Sequence, residues 1–101
     1  MQRRTSVRIV IFGLTVSSSW GNGHATLWRG LLRALAEMGC DCTFFERDVP
    51  YYATTRDLHA GDGWELILYS SWTDVRPIDA DVAIVTSYCP DAVAASAMIA
   101  E

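Results

Sequence analysis

The sequence predicts an α/β protein with a Rossmann-like, mostly parallel sheet and flanking helices. Three observations support this fold class: a nearly continuous apolar run with β-branched residues at 7–14, an amphipathic stretch at 23–38, and a second apolar run at 42–46. Unbroken apolar strands are typical of parallel sheets that helices cover on both faces. A strand, a helix and a strand within about forty residues form a βαβ unit.

The helix at 23–38 is predicted from apolar residues spaced three or four apart. These residues are Leu27, Leu31, Leu35 and Met38, with Trp28 and Leu32 on the neighbouring row. We expect the row through Leu27, Leu31 and Leu35 to pack on the sheet. The opposite side then carries Arg29, Arg33 and Glu37. Asn22 is a predicted N-cap and Gly39 a predicted C′ residue.

Two further strands are predicted in the second half of the chain, at 66–70 and 82–87. Only about a dozen residues separate them, which is short for a helical crossover, so the first is expected at a sheet edge or with an irregular connection. The segment 51–60 is compatible with a short helix. A final alanine-rich stretch at 91–101 has a helical pattern, and because the chain ends within it we expect one domain, 1–101, that is incomplete at its C-terminus.

Composition excludes several functional classes. The chain has 101 residues, of which 50% are hydrophobic and 20% charged, as expected for one globular domain. Its net charge of −4 argues against nucleic-acid binding, which needs a clustered basic face. No apolar stretch approaches the ~20 residues of a transmembrane helix. Three cysteines without zinc-ligand spacing favour a reducing, cytoplasmic location.

A ligand crevice is predicted where the first and fourth strands end. These strands are neighbours in a doubly wound sheet, so the loops 15–24 and 86–91 flank one crevice. Backbone N–H groups and hydroxyls there suit a phosphate or a polyhydroxylated ligand. The candidate substrate-binding residues are Ser19, Gly21, Asn22, Gly23, Ser87, Tyr88 and Asp91, and the candidate catalytic residue is His24.

Several of these residues also have a purely structural interpretation. The glycines serve either close approach of a ligand or a tight strand-to-helix turn. His24, near a helix start, acts either as a neutral base or as a backbone hydrogen-bond partner. Trp20 stacks on a sugar ring or pins the loop against the helix, and the second role is the commoner one for a lone tryptophan. Tyr51 and Tyr52 are expected to pack in a loop rather than to form a binding platform.

A dinucleotide-binding fingerprint is a weaker match. Gly21 and Gly23 fit the first two glycines of the motif, and Glu46 or Asp48 lies at the distance expected for a ribose contact. Six residues nevertheless separate the first strand from Gly21, and Thr26 replaces the third glycine, where close helix–strand packing requires a small residue. An NAD-dependent oxidoreductase domain therefore remains the second hypothesis.

Three strings of residues resemble the N-terminal region of CgeB-like glycosyltransferases. They are Gly-Asn-Gly-His-Ala-Thr-Leu-Trp-Arg-Gly-Leu-Leu-Arg-Ala-Leu at 21–35, Thr-Phe-Phe-Glu-Arg-Asp-Val-Pro-Tyr-Tyr at 43–52 and Thr-Ser-Tyr-Cys-Pro-Asp at 86–91. The most specific parts are 46–52 and 87–91. The resemblance implies a GT-B enzyme, in which two Rossmann-like domains face each other and the C-terminal one holds most of the nucleotide sugar. This chain would then be the acceptor-side domain, inactive without its partner domain.

The resemblance also implies the chemistry of the site. The substrates are a nucleotide sugar and an acceptor hydroxyl, and neither a metal nor a separate cofactor is expected. The Gly21 and Gly23 N–H groups would contact substrate oxygens, and His24 would orient the acceptor or transfer its proton. A third hypothesis is a non-catalytic flavodoxin-like or receiver-like module. A receiver needs acidic residues at the end of its first strand, where this chain has Leu14 and Thr15.

Overall fold

A four-stranded sheet and one long helix form the part of the chain that the structure describes. The structure, a computed structural model, describes residues 7–20, 23–71, 74–75, 79–86, 93 and 96–97. The elements within these ranges are β1 Arg8–Gly13, α1 Gly23–Glu37, β2 Asp41–Arg47, α2 Pro50–Ala53, β3 Glu65–Tyr69 and β4 Val82–Val85.

All strand pairs in this sheet are parallel, and the strand order is β3-β2-β1-β4. The predicted Rossmann-like fold class is thereby confirmed. The chain proceeds from β1 through β2 to β3 at one edge and then returns to the far side of β1 as β4. The strand order therefore reverses beside β1, and the carboxyl ends of β1 and β4 are neighbours as predicted. In α/β sheets, ligands bind in the crevice at such a reversal.

The connection between β2 and β3 contains much less helix than a typical crossover. The short helix α2 covers only Pro50–Ala53, and the chain then reaches β3 without further helix. Of the predicted C-terminal helix the structure describes Val93, Ser96 and Ala97, which are helical. Gly39, after α1, has φ +89°, as its predicted C′ position requires.

The sheet separates two hydrophobic clusters. One contains Val10, Phe12, Phe45, Tyr69 and Val75, with the Phe12 and Phe45 rings stacked at a centroid distance of 4.9 Å. The other lies between the sheet and α1. Its buried members are Ile11, Val16, Leu32, Cys42, Phe44 and Trp64. Because β1 contributes buried side chains to both clusters, its apolar run is continuous, as strands covered on both faces require.

The predicted sheet-facing row of α1 is wrong. Leu27 is 73% exposed and Leu31 46% exposed, whereas Leu32 is fully buried. The buried and half-buried row instead runs through Ala25, Trp28, Leu32 and Leu35. The helix is therefore rotated by roughly a quarter turn from the predicted orientation, since successive residues lie about 100° apart.

Two side-chain contacts fix this rotation. The Trp28 ring packs edge-on against Phe44 of β2 at a centroid distance of 5.6 Å. Arg29 donates from Nε to the Val16 carbonyl oxygen at 2.8 Å. With the Leu27 and Leu31 row against the sheet, Arg29 would point into solvent and lose this bond. Arg29 was expected on the solvent side, but it is half-buried.

Close packing explains a glycine at the end of β1. A Cβ atom on Gly13 would lie 2.5 Å from Cζ of Phe44, so the phenyl ring occupies the space that any side chain would need. Gly23 differs, because a Cβ there would meet nothing within 4 Å and its φ is not positive. A tight-turn requirement therefore does not explain Gly23.

Candidate functional site

A buried carboxylate from β2 accepts hydrogen bonds from the loop that follows β1. Residues 15–18 of the loop are fully buried, and so is Glu46. Oε1 of Glu46 accepts hydrogen bonds from the backbone N–H groups of Val16 at 2.8 Å and Ser17 at 2.9 Å. Its Oε2 accepts from the Ser17 hydroxyl at 2.7 Å. These are charge-assisted bonds, which are stronger than bonds between neutral groups.

Arg56 supplies the positive charge beside this carboxylate. Its Nη2 lies 3.7 Å from Oε2 of Glu46, and its side chain is only 10% exposed. Its Nε donates to the Ser17 hydroxyl oxygen at 2.8 Å, and Nη2 also donates to Asp48 at 3.3 Å. A buried carboxylate requires such a partner, because an isolated buried charge is costly.

The segment after α2 is hydrogen-bonded to the same loop. The Ser17 carbonyl oxygen accepts from the N–H groups of Asp57 at 2.9 Å and Leu58 at 3.0 Å. The Ser18 hydroxyl lies 2.7 Å from the Thr55 hydroxyl. The loop therefore has both backbone and side-chain partners, and these restrain its conformation.

Asp57 links the outer end of the loop to α1. It accepts from the Ser19 N–H at 3.2 Å, from the Ser19 hydroxyl at 2.5 Å and from Nη2 of Arg29 at 2.5 Å. The bonds from Arg29 and Ser19 hold the pKa of the Asp57 carboxyl well below its usual range. Asp57 therefore remains ionised, although its side chain is 49% exposed.

These contacts occupy the backbone donors of four consecutive loop residues. The N–H groups of Val16 and Ser17 bond to Glu46, that of Ser18 bonds to Oγ1 of Thr15 at 3.3 Å, and that of Ser19 bonds to Asp57. Phosphate-binding loops need such groups directed at the ligand. The loop at 16–19 is thus built as a rigid support, and Glu46 is directed into it instead of outward as a ribose contact would require.

Two aromatic rings lie exposed beside this support. Trp20 is 64% exposed and Tyr51 61% exposed, and their ring centroids are 6.5 Å apart. Tyr51 also contacts the half-buried Tyr52 edge-on at 5.0 Å. Tyr52 fits the predicted packing role, whereas Tyr51 and Trp20 present most of their surface to solvent.

The first turn of α1 borders a surface depression. His24 lies there with Leu27, Trp28 and Leu31 around a cavity of about 230 Å³. His24 and Gly23 are both exposed. Another cavity, of about 260 Å³, lies on the other flank of α1, between Arg29 and Trp64, where Arg33 faces Asp62 at 3.6 Å.

The structure brings together part of the predicted site. Ser19 is anchored through Asp57, and Gly23 and His24 open α1 a few residues further along. The remaining predicted residues, Gly21, Asn22, Ser87, Tyr88 and Asp91, lie outside the described residues. On the β4 side the description ends at Thr86, whose N–H donates to the Phe12 carbonyl oxygen at 3.0 Å.

Sequence reasoning missed the role of the charged residues that organise the loop. Arg56 and Asp57 lie within a segment of mixed pattern, and their hydrogen bonds to Ser17, Ser19 and Arg29 span 28 to 39 positions in the chain. Glu46 offered one signal, because it directly follows two phenylalanines in a strand and a carboxylate there needs a buried polar partner.

Comparisons with protein-family models, curated proteins and solved structures found no match. Within the described part of the chain, no helix is both long enough and apolar enough to cross a bilayer. The described residues also contain no group of three or more His, Cys, Asp or Glu side chains placed to hold a metal ion.

Proposed function

We propose that this chain is the acceptor-side, N-terminal domain of a cytoplasmic GT-B glycosyltransferase. Together with a donor-binding domain, it would transfer a sugar from a nucleotide diphosphate to an acceptor hydroxyl. The resemblance of three sequence strings to CgeB-like glycosyltransferases motivates this assignment, and the parallel sheet with its strand order β3-β2-β1-β4 is compatible with it.

One observation supports an acceptor role over a nucleotide-binding role. The N–H groups of residues 16–19 already donate to Glu46, Thr15 and Asp57, and two of these three acceptors are carboxylates. A diphosphate would have to displace them and would be repelled by their charge. A neutral, hydroxyl-rich acceptor meets no such penalty. This argument also disfavours the dinucleotide hypothesis, since that fold binds pyrophosphate at this loop.

In this proposal His24 acts on the acceptor. It lies in the first turn of α1, is exposed and borders a cavity, so an acceptor hydroxyl has access to its imidazole. A neutral imidazole can accept the hydroxyl proton as the glycosidic bond forms. The donor domain would supply the charge stabilisation for the leaving diphosphate.

The test has a binding arm and a turnover arm. In the binding arm, NAD and uridine diphosphate are titrated into the ¹⁵N-labelled chain, and we expect the amide signals of residues 16–19 to stay unchanged. In the turnover arm, the full-length protein that contains this domain is assayed with a panel of nucleotide sugars and acceptors.

We expect transfer by the full-length protein and none by the 101-residue chain. Holding donor and acceptor together is worth roughly 7–11 kcal/mol of barrier, which one domain cannot supply. The variant His24→Ala should lower kcat while leaving the unfolding midpoint unchanged. NAD binding with shifts at Ser17 and Ser18 would contradict the proposal and favour the oxidoreductase hypothesis.

A further inference from the structure

The rings of Trp20 and Tyr51 lie near each other, and Tyr51 contacts Tyr52, yet both rings stay largely exposed. Each leaves more than 60% of its surface in solvent, although burying such rings is strongly favourable. Trp20 lies in the loop after β1 and Tyr51 in the short helix α2 after β2, and the two rings meet at the carboxyl edge of the sheet. Ligands of open α/β sheets bind at this edge.

Both rings are carried on backbone that the surrounding contacts hold in place. Ser19, next to Trp20, is bonded through its N–H and its hydroxyl to Asp57. The Tyr51 carbonyl oxygen accepts hydrogen bonds from the hydroxyls of Thr54 at 3.0 Å and Thr55 at 3.4 Å. A surface whose backbone is already ordered loses little conformational entropy when a ligand binds.

We propose that Trp20 and Tyr51 form a stacking platform for one ring of a neutral saccharide. The apolar C–H face of the sugar would lie on the exposed aromatic surface, and its hydroxyls would donate to the carboxylates at the rim. This inference rests on the proposed function, because it names the acceptor as a saccharide bound through its ring face.

Asp57 and Asp48 are the rim carboxylates. An ionised carboxylate has about four acceptor positions. Asp57 uses three of them, for the Ser19 N–H, the Ser19 hydroxyl and Arg29. One position therefore remains for a sugar hydroxyl. Asp48, three residues before Tyr51, has a side chain that is 42% exposed.

The charges around the platform favour a neutral ligand over a nucleotide. This cluster contains three carboxylates and only two guanidinium groups. The carboxylates belong to Glu46, Asp48 and Asp57, and the guanidinium groups to Arg29 and Arg56. Both guanidinium groups are already paired with these carboxylates. A nucleobase could stack on the same rings, but its phosphates would approach this net negative cluster, in which neither arginine is unpaired.

The experiment measures saccharide binding by the ¹⁵N-labelled chain. Maltohexaose, cellohexaose and chitohexaose are titrated separately, with uridine diphosphate as the charged comparator. The variants are Trp20→Ala, Tyr51→Ala and the conservative Trp20→Phe. The control is Met38→Ala, which removes another exposed apolar side chain, 77% exposed, beyond the C-terminal end of α1.

We expect at least one neutral oligosaccharide to shift the Trp20 indole N–H signal. The Trp20→Ala change should weaken that binding about tenfold, which corresponds to the loss of roughly 1.4 kcal/mol of ring stacking. Trp20→Phe should retain most of the affinity, and Met38→Ala should bind like the unchanged chain. Rescue by Phe separates stacking from a general structural effect of the substitution.

Three results would overturn the platform: no binding of any oligosaccharide, equal binding by Trp20→Ala, or tighter binding of uridine diphosphate than of every saccharide. The proposed function fails separately. If saccharide binding depends on Trp20 but the full-length protein transfers no sugar, the platform is supported and the glycosyltransferase proposal is refuted. If the full-length protein transfers sugar and Trp20→Ala does not change the KM for the acceptor, the platform is refuted and the glycosyltransferase proposal is supported.

Discussion

The Glu46 carboxylate should contribute more to stability than any other single charged group in the described network. Glu46→Ala leaves the N–H groups of Val16 and Ser17 without their acceptor and Arg56 beside an empty space. Removing one partner of a buried charge pair typically costs about 3–5 kcal/mol. Glu46→Gln keeps an oxygen for the two N–H groups but places an amide NH₂ toward Arg56, so we expect about 1–3 kcal/mol.

Urea unfolding followed by far-UV circular dichroism measures both losses, with Glu37→Ala as the matched control. Glu37 is also a glutamate, but its side chain is 70% exposed and it pairs with Arg33 only at the helix surface. Its removal should change the free energy of unfolding by no more than about 0.5 kcal/mol. If Glu46→Ala lost as little as Glu37→Ala, the carboxylate would not hold the loop, and the argument against phosphate binding would fail.

Three further predictions concern the core, pH dependence and thiol reactivity. Leu32→Ala should lower the free energy of unfolding by about 2–5 kcal/mol and Leu27→Ala by at most about 0.5 kcal/mol, and equal losses in urea unfolding would contradict the observed helix orientation. The lowered pKa of Asp57 means that its contribution is complete above about pH 4 and is lost as pH falls below that. Asp57→Asn should therefore reduce the pH dependence of urea unfolding below about pH 4, and an unchanged dependence would refute this. Burial raises the pKa of the Cys42 thiol, so iodoacetamide should modify the half-buried Cys40 before Cys42, and the reverse order of these two would count against the described burial.

The sheet could be predicted because its signals are local. Each strand is a short apolar run, and α1 has a helical period that ends at Gly39. The adjacency of β1 and β4 followed from the general strand order of doubly wound sheets and is confirmed.

The orientation of α1 could not be predicted, because the helix has two apolar rows. Leu27 and Leu31 lie on one, and Trp28 and Leu32 on the other. Hydrophobicity alone does not separate them. The contact of Trp28 with Phe44 and the bond from Arg29 to the loop select the second row.

The hydrogen-bond network of the candidate site could not be predicted from the sequence either. The serines at 17–19 were expected to offer their donors to a ligand, whereas the structure uses them internally. Their partners Glu46, Arg56 and Asp57 lie about 30 to 40 positions away, and a pattern in one sequence contains no information on such pairs. The exposure of Trp20 is likewise a tertiary property.

The internal hydrogen bonds of the loop after β1 determine which ligands can bind at the carboxyl edge of the sheet. A phosphate at the amides of residues 16–19 would have to break the charge-assisted bonds to Glu46 and Asp57, each worth about 1.5–3 kcal/mol. It would also leave Glu46, which is fully buried, with a second negative charge beside it. A ligand that stacks on Trp20 and Tyr51 and donates to Asp57 breaks none of these bonds. The carboxylates that stabilise the loop therefore also favour neutral, hydroxyl-bearing ligands at its surface.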